Sequence, residues 1–229
     1  MLERRLPILF KESDMDSRFK AFESGHEAFQ KIGFKKSKER FKKLVEEGQS
    51  PKALFIGCSD SRVMPAMITN SKPGDLFIIR NIGNFVAPYN PDSDFHATAS
   101  AIEYATSILE VSDIIVCGHS HCGAISALYK EIKQTPENIH TIKWLELGHE
   151  AKKVALLAHR QSTSEVLHRY TEKISVVYQL DNLLTYPAVK RRVEEGTLFL
   201  HGWHYDLEDG TIEYYDDENF EFKPLSEKE

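Results

Sequence analysis

Two short stretches carry side chains that could do chemistry together: Cys58-Ser59-Asp60-Ser61-Arg62 and, farther along, His119-Ser120-His121-Cys122. A catalytic zinc ion takes three protein ligands and keeps a fourth position for water, and two cysteines with one histidine are one set that does this. Cys58, His119 and Cys122 supply that set with no ligand left over. His119 and Cys122 stand at i and i+3, so a tight turn or a first helical turn lets both face one ion, while Cys58 reaches it from the other stretch. Either stretch alone would be a weak signal. Together they point to a zinc site that activates water. The alternative is a closed site with His121 as fourth ligand, although ligands adjacent in sequence strain the chain. Otherwise His121 is a surface histidine or a proton acceptor near the site.

Asp60 and Arg62 are at the least an exposed loop ion pair, worth ~0–1 kcal/mol. Beside a metal they have a second use. Arg62 holds Asp60 ionised and oriented, lowering its proton affinity. Asp60 then accepts a hydrogen bond from zinc-bound hydroxide and aims the oxygen at an electrophile. Without Arg62, Asp60 would be free to swing onto zinc and exclude water.

Both stretches need elements to hold them, and each directly follows an apolar run. Strands are expected at Ala53–Gly57, Leu76–Arg80, Ile114–Gly118 and Leu198–Trp203. Runs that are continuously apolar, rather than alternating, suit parallel strands buried on both faces. Helical patterns at Phe95–Leu109, Ile142–Ala158 and Ser164–Leu183 lie between them. Asp209-Gly210 separates Tyr205–Leu207 from Ile212–Tyr215, a hairpin signal that adds an antiparallel edge strand. The expectation is an α/β fold with a mainly parallel sheet of about four strands, an antiparallel edge and flanking helices. Ligands in such sheets bind beyond the carboxyl ends of the strands, which is where Cys58 and His119 fall.

Residues from about Ser17 to Glu47 are charged and helix-favouring, with Phe19, Phe22, Phe29, Ile32, Phe41 and Leu44 as a broken apolar stripe. The stripe needs its own core or a partner subunit to cover it. At 229 residues the chain fits one domain, 1–229, with residues 1–48 as a helical arm. The net charge of -6 argues against nucleic acid, and no apolar run approaches the ~20 residues of a membrane helix. The opening Met1–Phe10 has too brief an apolar patch for a secretory signal, so a cytoplasmic protein is expected. Three cysteines do not suit a disulfide framework. Cys117, inside an apolar run, reads as a buried core thiol. The charged end, Glu218–Glu229, reads as a solvated tail or edge.

The pairing of Cys58-Ser59-Asp60-Ser61-Arg62 with Gly118-His119-Ser120-His121-Cys122-Gly123 resembles the β-class carbonic anhydrases. Arg80-Asn81-Ile82-Gly83-Asn84 and Ala101-Ile102-Glu103-Tyr104-Ala105 look like that family's intervening segments. The resemblance implies reversible hydration of CO₂ to bicarbonate and a proton, one Zn²⁺ per subunit, and a homodimer or homotetramer in which the N-terminal helices embrace a neighbour. It also implies a substrate pocket. Gln49 matches a glutamine that hydrogen-bonds substrate, Phe77, Ile82 and Tyr104 match walls of a narrow apolar CO₂ pocket, partly contributed across the dimer, and Gly123 matches a backbone donor. Read without the family, Phe77 and Ile82 are equally plain core packing and Gln49 a surface residue at a helix end. A second branch of the family lets Asp replace water on zinc and uses a tryptophan three residues before the first cysteine. Phe55 stands there in this chain, so the constitutively open branch is favoured, although Arg80 and Tyr178 match other members of that branch's bicarbonate pocket. Ala124 stands where the family often has a second glycine.

Other linear substrates, carbonyl sulfide or carbon disulfide, would meet the same nucleophile. A different class, a zinc- or redox-responsive regulatory module built on Cys58, Cys117 and Cys122, would leave Asp60 and Arg62 without a role. Two thiolates neutralise the formal charge of Zn²⁺ whereas three histidines leave it dipositive, so the bound water should be less acidified than the ~7 seen with three histidine ligands. CO₂ hydration followed by stopped flow is therefore expected to climb between about pH 7 and about pH 9, and a flat profile would contradict a two-thiolate site.

Overall fold

The computed structural model describes residues 12–92 and 94–227, so the opening Met1–Phe10 lies outside the described residues. The chain divides at Gly48 into two compact units. The first contains helix α1 (Glu12–Ala28), a π-helical run at Phe29–Phe34 and helix α2 (Lys35–Glu47). Charged pairs one turn apart, Lys31 with Glu27 at 2.8 Å and Lys43 with Glu47 at 3.6 Å, support these helices along their exposed sides. The run is wider than an α-helix where Gly33 lets the Phe29 ring lie across the backbone; a Cβ there would sit 3.0 Å from the ring. Gly48, at φ +82°, ends α2 in a conformation that glycine adopts without strain. Phe34 stacks on Phe41 at 5.3 Å, while Phe19, Phe22 and Ile32 are left exposed. The unit's own packing therefore covers only part of the stripe.

The second unit is built on a six-stranded sheet. Its elements in chain order are β1 (Ala53–Cys58), α3 (Pro65–Ile68), β2 (Leu76–Asn81), α4 (Ala97–Ser107), β3 (Asp113–His119) and α5 (Gly123–Leu128). There follow α6 (Ile139–Leu145), α7 (His149–Ala158), α8 (Ser164–Leu183), α9 (Pro187–Glu194), β4 (Phe199–Tyr205), β5 (Ile212–Asp216) and β6 (Glu221–Pro224). The strand order is β2-β1-β3-β4-β5-β6, with the first four parallel and the last two antiparallel. From β1 the chain moves to one side for β2 and to the other for β3, which makes the gap beyond β1 and β3 the switch point of the sheet.

β1 and β3 are buried nearly end to end, as their continuous apolar runs require. β2 is half-exposed because it is an edge strand, with Ile78 open to solvent. Two expectations need correction. The segment Ile142–Ala158 is two helices, α6 and α7, joined by a 3₁₀ turn at Glu146–Gly148, where a Cβ on Gly148 would fall 2.8 Å from a Leu128 methyl and 3.0 Å from the Phe85 ring. The charged end, read as a tail or edge, is an edge as far as residue 227, where Glu221–Pro224 pairs with β5 and Lys223 binds Asp216 at 2.5 Å, so the antiparallel part of the sheet has two strands where one was expected.

α8 lies against the sheet on a stripe of Thr171, Glu172, Ser175, Val176, Gln179 and Leu183. Val176 wedges between two glycines on adjacent strands. A Cβ on Gly118 would fall 2.7 Å from one Val176 methyl, and a Cβ on Gly202 would fall 2.9 Å from the other. Replacing Gly118 with Ala should therefore lower unfolding free energy by about 1–3 kcal/mol in urea, and adding Val176→Ala should recover part of the loss.

Candidate metal centre

Each ligand candidate sits where an element stops. Cys58 is the last residue of β1 and His119 the last of β3, and Cys122 immediately precedes α5. Their ligand atoms lie within 4.8 Å of one another and all three residues are buried. The His119 imidazole has its tautomer set by its neighbours: Nδ1 lies 2.9 Å from the Ser120 carbonyl, to which it donates, so Nε2 carries a lone pair. That Nε2 is buried and has no hydrogen-bond partner. A buried imidazole nitrogen that makes no hydrogen bond, set beside two thiols, fits a bound cation.

The thiols give the same answer. The Cys58 thiol is held well below its ordinary value, first by the hydrogen bond from the Cys122 thiol, against burial, and further by His119 and the amides of Asp60 and Gly83. Cys122 is pushed up, first by the same bond to Cys58 and then by burial. Ionising one sulfur thus makes ionising the other harder, and a cation between them would favour both thiolates. Burial lowers the basicity of His119, but its contacts with Cys58 more than reverse this and raise it overall. Zinc suits such a nitrogen and sulfur set.

The loop from His119 to Cys122 turns sharply, with His121 at φ +57°, a left-handed conformation that costs a non-glycine residue energy. Four bonds hold it there. Ser120 donates its amide to the Tyr205 carbonyl at 2.9 Å, and its hydroxyl accepts the Leu207 amide at 2.7 Å. Arg62 Nη2 reaches the His121 carbonyl at 3.2 Å, and the Cys122 amide donates to Glu172 Oε1 at 3.0 Å. The turn sends the His121 side chain outward to Glu208, 3.0 Å from its Nε2, and outside the ligand cluster. His121 is thus not among the residues that the fold gathers at the site.

Asp60 and Arg62 meet in a fork: Nε to Oδ1 at 2.9 Å and Nη2 to Oδ2 at 2.8 Å, with the Arg62 amide also on Oδ1 at 3.0 Å. These bonds hold the Asp60 carboxyl far below the usual carboxylate range, the Arg62 side chain contributing most. Arg80 donates to the Cys58 carbonyl at 2.8 Å and to the Asp60 carbonyl at 2.5 Å, so it braces the same loop from β2. Phe55 is fully buried and edge-on to Trp203. Cys117 is also fully buried, its thiol pushed up to about 12 by desolvation, which leaves it no part as a reactive switch.

The residues expected to line a substrate pocket divide into two groups. Gly123 adjoins Cys122 at the start of α5, and Ile82 adjoins Gly83, whose amide faces Cys58. Phe77 and Tyr104 stack on each other at 5.8 Å, away from the ligands. Asn81 is the partner of Cys58 in the sheet register, and Phe77 stands four positions back along β2, roughly 13 Å at the usual rise per residue. A cavity of about 470 Å³ beside Tyr104 contains none of the ligands. Within one chain, therefore, Phe77 and Tyr104 are not at the metal centre. Gln49 is exposed just ahead of β1.

Two residues of the site escape sequence reasoning. Trp144 on α6 donates to the Ile82 carbonyl at 2.7 Å and fixes the turn that carries Gly83; no local pattern marks it. Glu172 is buried and accepts from Cys122, from Arg169 at 3.1 Å and from His204 at 3.3 Å. A signal for it exists, because it lies on the buried stripe of α8 with Ser175, Val176 and Gln179. Burial raises its proton affinity, but His204, the Cys122 amide and Arg169 lower it overall, so it is ionised.

Residues 53–212 match the sequence profile of the family described as carbonic anhydrase. The chain is 40% identical over 201 residues to a carbonic anhydrase of Pseudomonas aeruginosa, covering 87% of this chain and 88% of that one. It is similar to the structure of the β-carbonic anhydrase CcaA, with TM-score 0.85 and 38% identity over 91% of this chain and 92% of that one. It is also similar to a structure described among two tetrameric β-carbonic anhydrases from Sordaria macrospora, with TM-score 0.73 and 26% identity over 91% and 97% of the two chains. Cys58→Ser and Cys122→Ser should each leave protein purified in zinc-supplemented buffer with less than about a tenth of one metal equivalent by elemental analysis, whereas Cys117→Ser should retain a full one.

Proposed function

The chain belongs to the β-class carbonic anhydrase family, which interconverts CO₂ and bicarbonate, and we propose that Cys58, His119 and Cys122 hold a zinc ion for that reaction with Asp60 and Arg62 as its orienting pair. The observation that carries the proposal is the buried His119 Nε2, which makes no hydrogen bond and lies within 4.8 Å of two buried thiols. When bound, zinc lowers the pKa of water and so makes a nucleophile available near neutral pH.

Asp60 directs that nucleophile rather than deprotonating it. A carboxylate offers about four acceptor sites. Arg62 fills both on Oδ1 and one on Oδ2, which leaves one on Oδ2 for an incoming O–H. With its proton affinity so far depressed, Asp60 stays ionised at every working pH and is a poor base. An acceptor that never protonates fixes the direction of the donated hydrogen and hence of the oxygen lone pair turned toward carbon. Arg62 also keeps Asp60 off the metal: to become a ligand, Asp60 would have to give up a two-pronged ion pair. That supports an open site, with Phe55 buried where a hydrogen-bonding tryptophan would be needed for closure. Gly123 offers its amide beside the ligands as a polar contact for substrate, with Ile82 next to the Gly83 turn, whereas Gln49 lies ahead of β1, at the end of the strand opposite Cys58, and would serve substrate only at the centre of a second copy.

The proposed active unit contains two copies of the chain. β2 is an unpaired sheet edge, and Ile78, Ile82, Tyr104 and Ile108 are exposed on and beside it. A second copy over this surface would cover them and could bring Phe77 and Tyr104 of one chain to the centre of another. The apolar stripe between Ser17 and Glu47, with Phe19, Phe22 and Ile32 bare, supplies further surface for a neighbour and supports reading the arm, 1–48, as part of one functional domain, 1–229. Assembly into a tetramer would follow the Sordaria relative. No helix among the described residues is long and apolar enough to cross a membrane. Three unpaired buried thiols support a reducing compartment, the cytoplasm.

The deciding experiment is stopped-flow CO₂ hydration with Asp60→Asn. The variant should keep one zinc per chain and lose about 10²–10⁴-fold in kcat/KM, since its amide can turn a donor toward the nucleophile. Wild-type rates in the zinc-loaded variant would remove Asp60 from the mechanism.

A further inference from the structure

The turn that presents Cys122 is strained at His121, yet it must be held to fractions of an ångström if His119 and Cys122 are to face one ion. The bonds to Ser120 and to the His121 carbonyl stop short of the ligand itself. The Cys122 amide has one acceptor, Glu172 Oε1, at 3.0 Å. Glu172 comes from the middle of α8 and is 4% exposed. Its other oxygen is held from two more directions, by Arg169 Nη1 at 3.1 Å and by His204 Nε2 at 3.3 Å on β4. On its far side the His204 Nδ1 makes no hydrogen bond and stands 3.7 Å from Glu213, which pairs with Lys173 at 2.6 Å.

We infer that Glu172 is a positioning residue of the metal centre: its buried carboxylate locks the Cys122 backbone, and so sets how firmly the third ligand holds the ion. The inference rests on the ligand set proposed above. A packing role alone would be served by any apolar side chain on the stripe, at far less cost than a desolvated carboxylate with three polar partners. Among those partners only the Cys122 amide belongs to the ligand loop, and its bond is charge-assisted and hence stronger than one to a neutral acceptor. The groups around Glu172 therefore act in one direction, fixing a carboxylate oxygen against the amide of a ligand. Partners that orient ligands in this way are typically worth about 10–100-fold in metal affinity or activity.

The test is the rate at which zinc leaves the full-length protein for an excess of chromophoric chelator, together with the thiolate-to-metal absorption of the cobalt(II)-substituted protein. Glu172→Gln keeps the shape but loses the charge, Glu172→Ala removes the acceptor, and Glu213→Gln perturbs the outer part of the network without touching Cys122. Zinc release is expected to quicken about 10–100-fold in Glu172→Ala and by less in Glu172→Gln, with an altered cobalt band in both and neither effect in Glu213→Gln. If Glu172→Ala does not fold, Glu172→Gln decides. Wild-type release and an unchanged cobalt band in a folded Glu172 variant would overturn the inference, even if that variant unfolded at lower temperature. Equal acceleration in Glu213→Gln would also overturn it, because the effect would then belong to general loosening of α8. A wild-type protein that bound neither metal would bring down the ligand assignment and this inference together, an outcome distinct from the other two.

Discussion

Two thiols and an imidazole meet within 4.8 Å in a place closed to solvent. Two thiolates that near repel one another, and burial strips away the water that would screen them. The protein answers with backbone amides. Asp60 and Gly83 direct N–H groups at the Cys58 sulfur, and Ala124 and Ile125 direct theirs at Cys122. All four belong to turns or to a helix start, where amides are left over from regular structure. A pair of parallel strands ending side by side, with a short helix beginning beside them, supplies such amides in one place. The architecture and the donor set thus answer the same electrostatic requirement.

That arrangement needs a rigid backing, which is α8. The helix reaches the sheet because Gly118 and Gly202 leave room for Val176. It does more than fill space. Glu172 takes the Cys122 amide, and two turns farther on Gln179 takes the Val86 amide at 2.8 Å and Asn182 donates to the Val86 carbonyl at 2.8 Å. The buried side of the helix is therefore a row of polar arms that satisfy irregular backbone near the site, interleaved with the apolar groups that pack. An unsatisfied backbone group in the same setting would cost about 1–3 kcal/mol, so these arms stabilise the loops as well as orienting them.

Two carboxylates near the centre are separated by surroundings rather than by chemistry. Asp60 lies near solvent on a loop, clasped by an exposed arginine that leaves one lone pair free. Glu172 is buried, with its oxygens turned to Cys122, Arg169 and His204. The first is placed to meet a reacting molecule. The second can meet only the protein. The same functional group is directed outward or inward according to the element that bears it.

Much of the site and its scaffold is legible in the residues themselves. Apolar runs ending at Cys58 and His119 mark buried parallel strands, because only a strand covered on both faces can be apolar at every position. Cys58, His119, Cys122, Asp60 and Arg62 stand out because their donor chemistry is specific and their spacing local. The second antiparallel strand at Glu221–Pro224 is not legible: it is short and charged, and it is held by pairing with β5 and by Lys223 on Asp216, partners that composition does not reveal. The break between α6 and α7 depends on a close approach at Gly148 that a helical pattern passes over. By itself, then, the sequence determined which groups could bind metal and which strand ends would carry them, since both depend on residue type and short-range order. Tertiary structure alone decided that the His119 Nε2 faces two thiols, that His121 turns away, that Phe77 stands well back from the ligands and that Glu172 grips Cys122. Each of these is a distance between segments far apart in the chain, fixed by how the helices pack on the sheet.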